Sequence, residues 1–245
     1  MILQVDAGNS RVHWRLLDEQ RGGCARGDQS WDSVFANGLE SVTPDSVAGL
    51  EFASVAGERA GELKAMLARG TDMPVRDFTV SGHQCGVSNA YSDPARMGVD
   101  RWLAMIGAFR TFGGPLTVLD AGTAITIDHV DALGVHQGGY ILPGVTMMAE
   151  SLGAGTSGVR AEPLAPGTTV PGTTTSECVH HGIAWLFEAL VVRASEYWGQ
   201  GEGRLIMTGG DADGLPECRD IEVIREPDLV FLGMDAVVAD DHAGY

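Results

Sequence analysis

The sequence predicts an α/β protein built from two copies of one strand-turn unit. An apolar strand delivers an Asp to its carboxyl end in Ile2-Leu3-Gln4-Val5-Asp6-Ala7-Gly8-Asn9-Ser10, and the pattern returns as Thr117-Val118-Leu119-Asp120-Ala121-Gly122-Thr123-Ala124. In each copy a Gly follows where the backbone must bend and let an anion approach its N–H groups, and a small hydroxyl or amide residue comes next. The chain then returns in alternation, with Val12, Trp14 and Leu16 on one face against Arg11, His13 and Arg15, and with Ile125 and Ile127 in the second copy. Each copy therefore reads as a β-hairpin with a phosphate-sized tip. A lone Asp-x-Gly marks an ordinary turn, but recurrence in register with matching flanks points to duplication.

A chain of 245 residues can bury a sizeable core as one large or two small domains, and 44% hydrophobic content is ordinary for a soluble protein. No apolar run reaches membrane-spanning length. The amino terminus enters a strand at Ile2 without a basic or signal-like segment before it, which predicts a cytoplasmic protein. Cys24, Cys85, Cys178 and Cys218 lie far apart without metal-type spacing and read as reduced thiols. A formal net charge of −17 repels a nucleic-acid backbone or an anionic membrane surface, so neither partner is expected.

Lys64 is the only lysine, within the helical segment Glu62-Leu63-Lys64-Ala65-Met66-Leu67. A P-loop and a pyridoxal phosphate enzyme each need a lysine in a specific setting, so both classes are disfavoured. Nucleotide phosphates must then be met by backbone N–H groups, hydroxyls, Arg and metal ions.

The first half runs through the strand Glu51-Phe52-Ala53-Ser54-Val55-Ala56-Gly57 to a helix ending near Phe112, and Gly113-Gly114-Pro115 stops that helix before the second copy. The boundary is placed there, giving domains 1–112 and 113–245. The second half ends on Arg204-Leu205-Ile206-Met207-Thr208 as its final strand, which runs into Gly209-Gly210-Asp211, where backbone could lie flat against an adenine. Gln137-Gly138-Gly139-Tyr140-Ile141-Leu142-Pro143-Gly144 reads as a strand bracketed by glycines. Thr174 and Glu177 form a capping box opening a helix that carries Val179, Ile183, Leu186 and Leu190, while Thr175 can still offer its hydroxyl to a ligand. The histidines, His180 and His181 among them, show no metal-ligand pattern.

Between the copies lies Tyr91-Ser92-Asp93-Pro94-Ala95-Arg96-Met97-Gly98-Val99-Asp100-Arg101, followed by Trp102, Leu103, Ile106 and Phe109 at helical spacing. Asp100 and Arg101 thus fall at a helix start. Asp100 reads either as a cap and dipole partner or as a general base, with Arg101 as an anion ligand. An acid beside a guanidinium and a Gly suits transfer of a phosphoryl group to a hydroxyl, which needs one proton acceptor and much charge stabilisation.

Taken together, Asp6-Ala7-Gly8-Asn9-Ser10, Gly98-Val99-Asp100-Arg101, Asp120-Ala121-Gly122-Thr123, Gly138-Gly139-Tyr140-Ile141-Leu142-Pro143-Gly144 and Thr208-Gly209-Gly210-Asp211 resemble the motifs of the type III pantothenate kinases, in their order and over nearly the whole chain. Ser10 replaces the more usual Thr of the first motif and keeps the hydroxyl. The resemblance implies two duplicated ribonuclease-H-like (actin-like ATPase) domains with a nucleotide cleft between them. It also implies ATP-dependent phosphorylation of pantothenate, the first step toward coenzyme A, with Asp100 accepting the hydroxyl proton. By the same resemblance Tyr91, Gly98, Val99, Asp100 and Arg101 shape the pantothenate pocket, and Thr175 reaches it from the neighbouring subunit of a homodimer. The ATP phosphates fall to Asp6, Ala7, Gly8, Asn9, Ser10, Arg11, Val12, His13 and Thr123. Asp120 ligates a monovalent cation, K⁺ or NH₄⁺, and Mg²⁺ accompanies ATP. The alternatives are another small-molecule kinase of the superfamily and a non-catalytic accessory or regulatory protein of the same fold.

Overall fold

The computed structural model describes residues 1–43, 46–70, 72–155, 168–199, 202–212 and 222–243. Cys218 lies outside the described residues, whereas Cys24, Cys85 and Cys178 stand outside any disulfide. The chain divides into two compact units, one of Met1–Cys85, Tyr91–Gly107 and Val230–Tyr245, the other of Gly86–Ala90 and Ala108–Leu229.

In the first unit the strands β1 (Ile2–Ala7), β2 (Arg11–Leu17), β3 (Gly23–Ser30), β4 (Gly49–Ser54) and β5 (Val75–Asp77) form one sheet in the order β3-β2-β1-β4-β5. The first three strands pair antiparallel, and β4 and β5 add in parallel. Period-two alternation puts Leu3, Val5 and Ala7 on the same face as Val12, Trp14 and Leu16, and all six are buried. Helices α1 (Trp31–Asn37) and α2 (Glu58–Leu67) close that face, with Trp31, Val34, Ala60 and Leu63 in the same core cluster. Ser30 caps α1 by accepting from the Ser33 N–H, and Gly38 ends it. The short strand β6 (His83–Gln84) belongs to this unit and β7 (Val87–Ser88) to the second, while α3 (Val99–Phe112) belongs to the first as far as Gly107, with its residues from Trp102 to Ile106 all buried.

The second unit repeats the plan. Strands β8 (Leu116–Ala121), β9 (Ala124–Val130), β10 (His136–Pro143), β11 (Arg204–Thr208) and β12 (Val223–Arg225) run in the order β10-β9-β8-β11-β12, antiparallel through β10 and parallel from β8 to β12. This is strand for strand the order and direction of the first sheet, so the repeat read from the two Asp-Ala-Gly motifs extends to a whole five-stranded layer. The equivalence places β11 fourth, and the expectation that it ends the sheet is corrected: β12 pairs beyond it at Leu205, Ile206 and Met207. Three residues of weak pattern are too short a strand to announce themselves in sequence.

Two further readings shift. β10 begins at His136, so Gly138 and Gly139 lie inside the strand, where the register slips between His136 and Gly139. Such a bulge is a common place for Gly in a strand. Helix α5 (Thr175–Ser195) follows α4 (Val145–Gly155) and buries Ile183, Ala184, Phe187, Val191 and Ala194, while Leu186 is 40% exposed. The apolar stripe is therefore rotated from the expected one, because residues with side chains as small as Ala184 and Ala194 carry the contact and do not register in a count of large apolar positions. Helix α6 (Leu229–Ala243) completes the described chain, and from Val230 it belongs to the first unit. No described helix is long and apolar enough to cross a membrane.

Phe187 is 1% exposed in the second core. Phe187→Ala should lower unfolding free energy by about 3–5 kcal/mol through lost transfer energy and a residual cavity. Leu133→Ala, at a residue 83% exposed, should stay within about 0.5 kcal/mol. Urea midpoints at unchanged m-value check both, and equal losses would contradict the packing described.

Candidate active site

The first tip is held from the side. The Ala7 carbonyl accepts from the Val55 N–H at 3.3 Å and from the Ser54 hydroxyl at 2.9 Å, and the Gly8 carbonyl accepts from Trp31 Nε1 at 3.1 Å. Asn9 and Ser10 are exposed at the turn. Ala7 and Val12 are fully buried, so what they offer a ligand is backbone. Arg11 donates from Nε to Asp28 Oδ1 at 2.6 Å, which ties it back onto β3. His13 stands opposite Asp6 across the hairpin, with Nδ1 3.6 Å from Asp28 Oδ1. Burial lowers the His13 pKa more than Asp28 raises it, and Arg11 lowers it further, so the imidazole is neutral at pH 7.

The second tip is held the same way. The Ala121 carbonyl accepts from the Asp211 N–H at 2.9 Å, and the Thr123 carbonyl accepts from the Gly144 N–H at 3.0 Å. Ala7 and Ala121 hold equivalent places, each bonded by a residue just beyond the neighbouring parallel strand. The approach is so close that a Cβ on Gly209 would run into the Ala121 carbonyl and the Asp120 carboxylate, and one on Gly144 into the carbonyls of Gly122 and Thr123. Gly209 also has φ 96°, a left-handed backbone that side chains rarely adopt. Thr123 is exposed and Asp120 half-buried at the strand end. Burial raises the Asp211 pKa.

Asp100 and Arg101 open α3, as the spacing predicts. Asp100 Oδ1 accepts from the Arg101 N–H at 2.7 Å and lies where a Cβ on Gly98 would stand. Arg101 is buried, donates from Nη1 to the Tyr91 hydroxyl at 3.0 Å, and sets its guanidinium 5.8 Å from that ring's centroid. Val99 is buried. Val55 connects this helix start to the first tip: its N–H reaches Ala7, and its Cγ1 would lie 3.4 Å from a Cβ on Gly98. The first unit thus brings the Asp6 hairpin and the Asp100 carboxylate together through one residue. Asp120, Thr123 and the Thr208-Gly209-Gly210-Asp211 segment come together in the second unit.

Thr175 is exposed as the first residue of α5, in the second unit, directly after the Thr174 cap. The capping box is complete: Thr174 accepts from the Glu177 N–H, and Glu177 accepts from the N–H groups of Thr173 and Thr174 and the Thr173 hydroxyl, which lowers its pKa. His136 and His129 are buried with partners, Asp128 Oδ1 at 3.0 Å and Thr117 Oγ1 at 2.9 Å. Among the described residues no group of three or more His, Cys, Asp or Glu could hold a metal ion, so a cation at Asp120 would need backbone or ligand oxygens as well.

Sequence reasoning passed over Ser54, Val55 and Trp31, which fix the first tip. Their one trace is a strand ending in small residues, which leaves room for backbone contact but names no partner.

Residues 2–196 match the family described as type III pantothenate kinase. The chain is 40% identical to a type III pantothenate kinase from Marinobacter nauticus, over 98% of each chain. It is 20% identical to the crystal structure of a Campylobacter jejuni protein named for the Baf family of transcriptional activators, with TM-score 0.63 and 98% of this chain and 99% of that one covered. A 2-dehydro-3-deoxygalactonokinase protein from Sinorhizobium meliloti matches at TM-score 0.62 and 14% identity, over 97% and 98% of the two chains. At such identities these structures establish the fold, that of the actin-like ATPases and sugar kinases with two ribonuclease-H-like domains. The full-length identity and the matched family motifs lead to one conclusion: the chain belongs to the type III pantothenate kinases.

Proposed function

We propose that this protein transfers the γ-phosphoryl group of ATP to the primary hydroxyl of pantothenate, giving 4′-phosphopantothenate and ADP, the first step toward coenzyme A. The observation that carries the reading is the adjacency, within one unit, of the Asp6 hairpin and the Asp100 carboxylate through Val55. Asp100 accepts the hydroxyl proton as the oxygen bonds to phosphorus and the bond to the ADP oxygen breaks. Backbone at Gly8, Asn9 and Ser10 of the first tip meets the phosphates, and Mg²⁺ enters with ATP as part of the substrate. Tyr91, Gly98, Val99 and Arg101 form the pantothenate pocket, in which the Tyr91 hydroxyl holds the Arg101 guanidinium in place.

Asp120 would hold a monovalent cation. Its carboxylate and the neighbouring carbonyls are oxygen donors only, which fits a hard cation. Such an ion would supply positive charge near the phosphates in a chain with one lysine.

A homodimer with Thr175 serving the partner's pocket completes the reading. Tyr140, Ile141, Trp185 and Leu186 are exposed apolar residues of the second unit, and the last two share α5 with Thr175. Large apolar residues left exposed on one helix suit an association surface, and two-fold pairs are the commonest oligomers.

Purified protein should release ADP dependent on pantothenate in buffer with Mg²⁺ and K⁺, and Asp100→Asn should lower kcat by about 10² to 10⁴ with the fold intact. Near-normal turnover of that variant would remove Asp100 from the mechanism. Activity should rise on adding K⁺ or NH₄⁺ at fixed Mg²⁺, and Asp120→Asn should lose most of that response; equal rates in Na⁺ and K⁺ would defeat the cation assignment. Finally, Asp100→Asn and Thr175→Trp, each inactive, are unfolded together and refolded in equal amounts. Shared pockets restore about a quarter of the sites, since half the dimers are mixed and each has one intact site. No recovery despite mixed dimers seen by native mass measurement would confine Thr175 to its own subunit.

A further inference from the structure

One row of side chains crosses the first sheet a single pleat below Asp6. Gln4 on β1 lies opposite Arg15 on β2 and Glu51 on β4, and two residues onward on the same face Asp6 lies opposite His13 and Ala53. Gln4 is fully buried, donates from Nε2 to Glu51 Oε2 at 2.6 Å and to Asp235 Oδ1 at 3.0 Å, and accepts from Arg15 Nε. Arg15 also donates to Asp235 Oδ2 and to the Phe231 carbonyl at 3.1 Å, with its guanidinium 4.9 Å from the Phe231 ring centroid. Arg21 reaches Glu51 with both terminal nitrogens at 2.9 Å and Asp235 Oδ1 at 2.9 Å. It does so from a left-handed backbone, φ 62°, which is rare for a residue with a side chain.

Two guanidinium groups and two carboxylates thus balance in charge around one amide, and both amide hydrogens of that Gln are used. An ion network of this kind is a weak stabiliser compared with apolar packing of the same volume, yet it accepts only one geometry. Asp235 is its charged member from α6, beside the Phe231 carbonyl that Arg15 also reaches. That helix also lies backbone to backbone on α3, since a Cβ on Gly233 would run into the Leu103 carbonyl, one turn after Asp100. Helix α6 therefore touches both the strand that carries Asp6 and the helix that carries Asp100.

We propose that Asp235 is a positioning residue for phosphoryl transfer: through Gln4 and Arg15 it fixes where the Asp6 end of the first hairpin stands against Asp100. The proposal rests on the kinase reading above. Misplacement by about 1 Å at a reacting centre can lower the rate by about 10²-fold, and removing one carboxylate from a partly exposed network should allow a smaller shift. Asp235→Asn should lower kcat/KM for ATP by about 5- to 20-fold, while KM for pantothenate changes by less than about 2-fold. Arg15→Lys, which keeps the charge and loses the fork, should follow the same split, and Asp235→Glu should fall between wild type and Asp235→Asn. Steady-state kinetics at a temperature where circular dichroism shows each variant fully folded measures this, and Arg15→Lys stands in should Asp235→Asn not accumulate folded. A lower melting temperature with kinetic constants unchanged, or equal rises in both KM values, would overturn the positioning role while the kinase reading stands. Wild-type protein without pantothenate-dependent turnover would overturn both.

Discussion

The constraint common to both hairpin tips is a backbone hydrogen bond donated by a residue beyond the neighbouring parallel strand to the carbonyl of the Ala that follows the motif Asp. Val55 serves Ala7 and Asp211 serves Ala121. The bond continues the contact between each hairpin and the parallel strand beside it, whose register the ladder sets along its length. Much of the rest follows. The segment beyond that strand must lie close on the tip, which in the second unit leaves no room for a Cβ at Gly209 and in the first brings Val55 against Gly98 and the start of α3. Alternation along β1 then commits Leu3, Val5 and Ala7 to the core and Gln4 and Asp6 to the other face.

Charge is distributed unequally over this frame. The protein is strongly acidic and has one lysine, which is spent on Asp77 at the surface. Of the arginines, Arg15 and Arg21 are committed to Glu51 and Asp235, Arg11 to Asp28, and Arg101 lies buried against Tyr91. Among the described residues these five cations are thus held by partners within the protein.

Much of this was legible in sequence for a local reason. Hairpins, a Gly at a tip, the alternation of β2, the capping box at Thr174 and the stop after Phe112 each depend on neighbours within a few residues. The readings that moved depend on distant ones. The phase of α5 is set by which side meets the sheet, and small residues such as Ala184 and Ala194 carry that contact; β12 exists because β11 offers it an edge; the glycines of β10 sit in a bulge that the partner strand defines. Asp100 at a helix start was ambiguous between cap and base, and the structure shows its carboxylate on the following N–H and packed at Gly98, a fact that no spacing contains.

The sequence by itself determined the duplicated α/β plan and the two Asp-Ala-Gly hairpin tips, because hydrophobic alternation and turn chemistry are written in consecutive residues. Only the tertiary structure decided which residues hold the tips in place. It brought the last helix into the first unit, set Val55 between Ala7 and Gly98, and closed Gln4, Arg15, Arg21 and Glu51 around Asp235, more than 200 positions from Gln4 in the chain. The physical reason is that a polar side chain buried in a sheet must find partners wherever the fold brings them, and a linear pattern records the need without naming the partner.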